Sequence, residues 1–183
     1  MSKDIQVGNN IIELEHSFDR KTCRHSISGF QSVLHCHHYM TLTTQMAEDA
    51  DDLCQGTEVL ISTMENTAYK VLSKICNENN IKDIEDKINV AEELFCRIWA
   101  LGKIKFIHLG DFSATIDVLH SHIDEGWTKK WKKRDKPVGY INRGFIQGAL
   151  AVINNVPAGS FETQESECIV SGAKKGIIRA WKR

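Results

Sequence analysis

Residues 141–153 read INRGFIQGALAVI, and their apolar side chains recur at the spacing of a buried α-helix. Gly144 and Gly148 stand four positions apart, so they share one face of that helix. A face without side chains can approach another backbone or a flat ligand closely. We therefore expect a core helix with a glycine face. Its apolar residues are expected to fill the core: Phe145, Ala149, Leu150, Val152 and Ile153.

The sequence before this run predicts two longer amphipathic helices, over residues 58–76 and 84–100. The remaining predicted elements are a helix over 39–52, a hairpin over 23–36 that turns at Ser28-Gly29, and strands over 104–109, 113–122, 161–164 and 177–181. No linker or repeat interrupts this order. We predict one α+β domain over residues 23–183, with residues 1–22 as an N-terminal lead-in.

The composition is that of an ordinary soluble globular protein. The chain has 183 residues, a formal net charge of −1 and a pI of about 6.7, so nothing attracts it generally to nucleic acid or to an anionic membrane. The basic run over residues 129–136, around Trp131, is interpreted as a solvated face. No apolar run approaches the roughly 20 residues of a membrane span, and no signal-peptide core follows the N-terminus. We expect a cytoplasmic protein with free thiols, no membrane span and no nucleic-acid partner.

Residues 33–39 read VLHCHHY, which places side chains that bind metals next to one another. In an extended conformation Cys36 and His38 share one face, and His35 and His37 share the other. Either pair could supply two ligands, and imidazole with thiolate suits zinc or iron. The alternative is that the histidines end a strand at the surface and that Cys36 is a small buried hydrophobic residue.

A second pair of histidines lies in the strand predicted over residues 113–122. Alternation along this strand places His120 and His122 on its apolar face. A histidine at the end of such a face is usually a hydrogen-bonded structural residue, although two on one face favour a site. Residues 124–127 read DEGW and are interpreted as a turn with Trp127 as an aromatic anchor.

Short motifs in the C-terminal third resemble those of the 4-vinyl reductase domain, also called the hydrocarbon-binding domain. They are Gly144-Phe145 and Gly148, then Phe161-Glu162-Thr163, Glu167-Cys168 and Gly172 before a closing strand. Residues 121–127 and 35–39 also look like segments of members, and the resemblance covers residues 23–182. Members usually have a second cysteine four residues after the glycine, where this chain has Gly176. The departure argues against a two-cysteine metal site at the C-terminus.

The resemblance implies a fold related to the heme-nitric-oxide-binding domain and to TRAPP trafficking subunits. In that fold, helices and a twisted antiparallel sheet enclose an apolar cavity. The resemblance also implies a homodimer and a small hydrophobic ligand. One branch of the group is associated with reduction of a vinyl group, but this sequence has no GxGxxG run or other nicotinamide or flavin motif. A reductase would therefore need a borrowed electron source.

The residue patterns and the resemblance together indicate one end of the cavity as a site. We predict that zinc or iron is held there by Cys36, His38, His122 and Cys168. Tyr39 and Glu125 are expected to supply hydrogen bonds or proton transfer beside the metal. The residues predicted to contact the organic ligand are Tyr39, Trp127, Gly144, Phe145 and Gly148.

Three functions fit these expectations. The first is a module that binds or senses a small hydrophobic molecule, with its pocket lined by the helices over 58–76, 84–100 and 141–153. The second is a metal-dependent enzyme or metallochaperone that uses the His/Cys cluster. The third is a TRAPP-like assembly subunit whose helices form a dimer face.

Overall fold

The computed structural model describes residues 4–7, 10–33 and 36–183, which form one mixed α+β domain. The predicted fold class is confirmed. The described strands are β1 (Asp4–Val7), β2 (Asn10–Glu13), β3 (His16–Asp19), β4 (Arg24–Ile27), β5 (Phe30–Ser32), β6 (Gly102–Leu109), β7 (Ser113–Ser121), β8 (Phe161–Glu167) and β9 (Gly176–Lys182). The described helices are α1 (His37–Asp49), α2 (Asp51–Cys54), α3 (Gly56–Glu78), α4 (Ile84–Glu93), a π-helix (Leu94–Ile98), α5 (His122–Trp131) and α6 (Tyr140–Ile153).

Helix α6 is the centre of the domain, because every residue in it except Arg143 is buried. Its glycine face meets the backbone of α3. A Cβ atom on Gly144 would overlap the carbonyl oxygen of Ile61, and one on Gly148 would overlap that of Glu65. The close approach to another backbone that the glycine spacing predicts is therefore confirmed.

A four-stranded antiparallel sheet in the order β6-β7-β9-β8 forms the layer that supports α6. Residues of β7 and β9 alternate between a buried and a more exposed face, and Ile116 pairs with Ile178 on the buried side. Two small antiparallel sheets, β1-β2 and β3-β4-β5, lie at the N-terminus. The predicted turn between β4 and β5 is confirmed, since Ser28 and Gly29 both have left-handed φ angles, of 47° and 78°.

Strands β1 and β2 and the residue that follows them contribute to the core. Ile5, Val7, Ile12 and Leu14 are at most 5% exposed and belong to the same hydrophobic core as α6. Burying these aliphatic side chains stabilises the fold by about 1.5–3 kcal/mol each. These four residues of the segment interpreted as a lead-in are therefore part of the core.

Helix α5 occupies the residues that the sequence analysis interprets as the end of a strand and a turn. The hydroxyl of Ser121 accepts a hydrogen bond from the backbone N–H of Asp124 at 3.2 Å and so caps the helix. Asp124 and Glu125 then place negative charge in the first turn, which complements the helix dipole. The turn prediction for residues 124–127 is wrong for this reason, and Trp127 lies buried on a helix.

None of the helices in the described ranges has both the length and the apolar character needed to cross a bilayer.

We expect Gly148→Ala to destabilise the protein by about 1–3 kcal/mol, because the new methyl group forces α6 away from the backbone of α3. The urea midpoint for unfolding measures this loss. Asn66→Ala, on the exposed side of α3, is the matched control and should change the free energy of unfolding by less than about 0.5 kcal/mol. Equal midpoints for the two variants would contradict the packing described here.

Candidate functional site

A pocket of about 720 Å³ lies between the β3-β4-β5 sheet, α3 and the π-helix. Its volume is within the usual range for sites that bind small molecules, roughly 300–1,000 Å³. Enclosure of a ligand on all sides, which the resemblance implies, stays a prediction. The described residues that line the pocket are Leu14, His16, His25, Ile27, Ser28, Phe30, Gln31, Ser32, Val33, Met40, Leu60, Thr63, Met64, Thr67, Val71, Ile75, Leu94, Ile98, Trp99, Ala100, Leu101, His122 and Ile141.

The pocket has an apolar floor and a polar mouth. The buried members of the lining are all apolar, and this floor consists of Leu14, Met40, Val71, Ile75, Leu94, Leu101 and Ile141. The polar members are all exposed or half-buried, and they are His16, His25, Ser28, Gln31, Ser32, Thr63, Thr67 and His122. A ligand with one polar end would therefore place that end at the mouth.

The π-helix forms one wall of the pocket and explains its local shape. Helix α4 does not continue as a regular α-helix, because the N–H of Trp99 bonds to the carbonyl oxygen of Leu94, five residues back. The chain then turns through Ala100, which has a left-handed φ of 51°. Leu94, Ile98 and Trp99 all reach the pocket from this widened turn. The single helix predicted over residues 84–100 is thus two kinds of helix, and the break lies beside the pocket.

A second group of polar side chains lies in the interior, where α5 meets the end of β8. The side-chain atoms of Asp124, Glu165 and Cys168 that could bind a metal lie within 4.8 Å of one another, and all three residues are buried. The thiol of Cys168 donates a hydrogen bond to Oδ1 of Asp124 at 3.0 Å. We call these three residues the acid–thiol cluster.

Burial dominates the electrostatics of the cluster. Burial first and the neighbouring Asp124 second raise the pKa of Glu165 to about 7, against the opposing hydrogen bonds from the Cys168 thiol and the Gly139 N–H. Burial and the two carboxyl groups also raise the pKa of the Cys168 thiol, which therefore stays protonated at neutral pH. Asp124 keeps its second oxygen, Oδ2, buried without a hydrogen-bond partner in the described part of the chain.

Gly139 makes room for the Glu165 carboxyl group. A Cβ atom on Gly139 would lie 2.5 Å from Oε2 of Glu165. The sequence analysis missed both Asp124 and Glu165 as site residues. Alternation along β8, where Phe161, Thr163 and Glu165 are buried, is the signal that could have placed Glu165 inside.

The metal ligands predicted from the sequence lie in different places. Cys168 is in the buried cluster, whereas Cys36 is exposed at the N-cap of α1 and His38 is exposed in its first turn. Backbone N–H groups at that helix start, those of Tyr39 first, lower the pKa of the Cys36 thiol. Within the described ranges, no group of converging metal-binding atoms includes Cys36, His38 or His122. The physical reason is that α1 begins at His37 and replaces the extended conformation on which the prediction depends.

The histidines around this helix start do approach one another through their rings. The rings of His37 and His38 lie 4.2 Å apart between centroids, and the ring of His122 is 5.7 Å from that of His37. His122 also lines the pocket. His35 lies outside the described residues. A metal held by Cys36, His38, His122 and Cys168 stays a prediction that this arrangement does not favour.

The residues predicted to contact an organic ligand are not among the described residues that line the pocket. Gly144 and Gly148 face α3 instead, and Phe145 packs edge-on against Phe95 and Trp99, at 5.0 Å and 5.5 Å between ring centroids. The other two, Trp127 and Tyr39, also lie elsewhere. The ring of Trp127 lies 4.6 Å from that of Trp131, with the guanidinium of Arg134 over its face. Tyr39 is 59% exposed on α1.

No protein-family model matches the chain, and no curated protein matches it. Solved structures do. The phenol-responsive sensory domain of the transcription activator PoxR, crystallised with phenol, superposes with a TM-score of 0.71 at 10% identity over 91% of this chain and 84% of that one. A vinyl-4-reductase family protein from Methanocaldococcus jannaschii gives a TM-score of 0.56 at 16% identity, over 83% and 84% of the chains. This chain and these two proteins therefore share one fold.

The resemblance seen in the sequence is thereby confirmed at the level of the fold. A trafficking protein particle complex subunit 3 from Naegleria fowleri, covalently bound to palmitic acid, is more distant. Its TM-score is 0.49 at 12% identity, over 80% of this chain and 95% of that one.

The raised pKa of Glu165 predicts how stability depends on pH in chelator-treated protein. The folded state holds this proton up to about pH 7, whereas an unfolded glutamate releases it near about pH 4.3. Stability is therefore fully present below the lower value and falls by up to about 3 kcal/mol as the pH rises through about 7. Glu165→Gln should remove this slope in urea unfolding at about pH 5 and about pH 8.

The matched control is Glu167→Gln, which changes an exposed carboxyl on the same strand and should leave the slope intact. An unchanged slope in Glu165→Gln would show that another group is responsible.

Proposed function

We propose that this chain is a domain that binds or senses a small hydrophobic molecule. The observation that carries the proposal is the pocket, whose buried lining is entirely apolar. The fold supports it, because the PoxR sensory domain, described as phenol-responsive, has the same fold. Fold alone does not assign a ligand, so the proposal depends on the pocket itself.

The β3-β4-β5 sheet gives the pocket a means of responding to a ligand. Strand β3 is exposed along its whole length, so this small sheet buries little of its own surface. It is tied to α3 by Lys74, which donates to the carbonyl oxygen of Ser28 at 2.6 Å and lies 5.0 Å from the ring centre of Phe30. A ligand between the sheet and the floor would add contacts to both and stabilise the covered arrangement.

A bulky side chain at the mouth of the pocket should weaken the binding of a ligand. Thr67 lines the pocket and is exposed, so Thr67→Trp can add bulk without crowding the buried floor. We expect at least about a tenfold loss of affinity for the neutral fluorescent probe N-phenyl-1-naphthylamine. The change in probe fluorescence on titration measures it.

Val59→Trp is the control, since Val59 is 54% exposed on the same helix and does not line the pocket. It should bind the probe like the unmodified protein. Full binding by both variants, or no binding by the unmodified protein, would contradict the proposal.

We further propose a metal site at the acid–thiol cluster. Two carboxylates and a thiol can offer oxygen and sulfur donors, a set that zinc or iron accepts. The buried Asp124 oxygen that lacks a partner fits a missing cation, because an unsatisfied buried acceptor costs about 1–3 kcal/mol. When bound, such a metal would supply positive charge that deprotonates Cys168 and ties α5 to β8.

Metal analysis of protein purified without chelator separates this proposal from the set predicted by the sequence. Cys168→Ala should lose the metal, and Cys36→Ser should keep it, because Cys36 is exposed at the start of α1. Adding zinc should raise the thermal midpoint of the unmodified protein and of Cys36→Ser only. Loss of the metal from Cys36→Ser would favour the His/Cys set instead, since Cys36 belongs only to that set. Metal kept by Cys168→Ala would contradict both sets, because they share Cys168.

Other expectations of the sequence analysis stay predictions. A homodimer fits the exposed apolar residues of α1, since Tyr39, Leu42 and Met46 follow one another at spacings of three and four. A TRAPP-like assembly role would use the same kind of surface. We also keep three expectations as predictions: metal-dependent catalysis, metal transfer and a cytoplasmic location.

A further inference from the structure

The mouth of the pocket carries a pair of histidines in direct contact. Nε2 of His16 on β3 and Nδ1 of His25 on β4 are 3.0 Å apart, and the two rings are stacked with centroids 5.1 Å apart. The ring of Phe18 lies 4.6 Å from that of His25. Both histidines line the pocket and both are exposed, so they lie where the apolar interior meets water.

The hydrogen bond between the rings fixes what the pair can offer to a ligand. One inner nitrogen donates and the other accepts, so a pair of neutral rings has one donor and one acceptor left, at Nδ1 of His16 and Nε2 of His25. One added proton turns these two nitrogens into two donors. The two outer nitrogens lie at opposite ends of the pair, so a carboxyl group binds one of them. The pair offers a partner to either form, since the acid donates to an accepting nitrogen and the carboxylate accepts from a donating one.

Two cations form hydrogen bonds to residues that line the pocket. With its amide oxygen facing Arg24, the pocket residue Gln31 accepts from Nε at 3.2 Å and from Nη1 at 3.0 Å. Lys74 donates to the backbone of Ser28, another residue of the mouth. No carboxylate is among the described residues that line the pocket.

Acids of this region already have partners. Asp19 accepts from the hydroxyl of Thr22 and the N–H of Lys21 in the turn after β3, and Glu78 forms an ion pair with Lys74 at 3.8 Å, one helical turn along α3. An anionic group at the mouth would therefore meet the two histidines without a competing carboxylate in the described lining.

We infer that the pocket takes an amphiphilic carboxylic acid, a hydrocarbon with one carboxyl group. The pair of His16 and His25 binds the carboxyl group at the mouth, and the hydrocarbon lies against the apolar floor. This inference rests on the proposed function and names its ligand class. A volume of about 720 Å³ holds about two dozen water molecules, which leaves room for a chain much longer than the head group.

Other ligand classes satisfy the mouth less well. A pure hydrocarbon would cover the outward nitrogens of the pair without giving them a partner. An alcohol gives them a neutral partner, and a charge-assisted bond is roughly twice as strong. An amine would bring a positive charge to a pair that itself becomes positive when it takes up a proton.

The test compares decanoic acid, 1-decanol and decylamine, which share one hydrocarbon chain and differ in the head group. Each displaces N-phenyl-1-naphthylamine from the unmodified protein and from the double variant His16→Gln/His25→Gln. His108→Gln, which changes an exposed histidine on β6 outside the pocket lining, is the control. In the unmodified protein and the control, the acid should bind at least about tenfold more tightly than the alcohol, and the amine most weakly.

The double variant should bind the alcohol within about twofold of the unmodified protein, which also shows that it is folded, and should lose the preference for the acid. If the alcohol and acid bind equally to the unmodified protein, the proposed function stands and the inference is overturned. If the double variant keeps the preference, the histidine pair does not bind the carboxyl group. If neither probe nor ligand binds, the proposed function fails and the inference falls with it.

Discussion

The contact of α6 with the backbone of α3 is the constraint on which the other features depend. Gly144 and Gly148 on one face of α6 let it approach α3 more closely than side chains would allow. Helix α6 therefore lies deep in the domain, and almost none of its residues is at the surface. A helix buried on all sides must be apolar on all sides or must satisfy its polar groups internally. Helix α6 is mostly apolar and pairs its buried amide N–H groups, since the Asn142 amide donates to Ser121 and that of Gln147 donates to Thr163.

The two sites lie on opposite sides of one short stretch of chain. Ser121 ends β7 and caps α5, so the direction of the chain changes between the sheet and the helix. His122 then lines the pocket, and Asp124, two residues later, belongs to the acid–thiol cluster. A ligand or ion that shifts this first turn of α5 would therefore affect both sites, because His122 and Asp124 belong to the same turn.

The sequence allowed the helices to be predicted well, because apolar periodicity is a local property. Helices α3 and α6 end within a few residues of their predicted bounds. The sequence does not predict α5 although Ser121 and Asp124 have the spacing of a capped start, since the alternation of β7 continues through His122. The cluster could not be predicted, because Asp124 and Glu165 come together only when α5 packs near β8. The histidine pair was overlooked because its first member falls in residues interpreted as a lead-in.

The space around Glu165 has a consequence for how this protein can change in evolution. Its carboxyl group occupies the volume that a side chain at Gly139 would otherwise take. A larger residue at Gly139 therefore requires a shorter residue at position 165, and Gly139 becomes free to change once the acid is lost. In a set of relatives these two positions should covary, even though they are 26 residues apart along the chain.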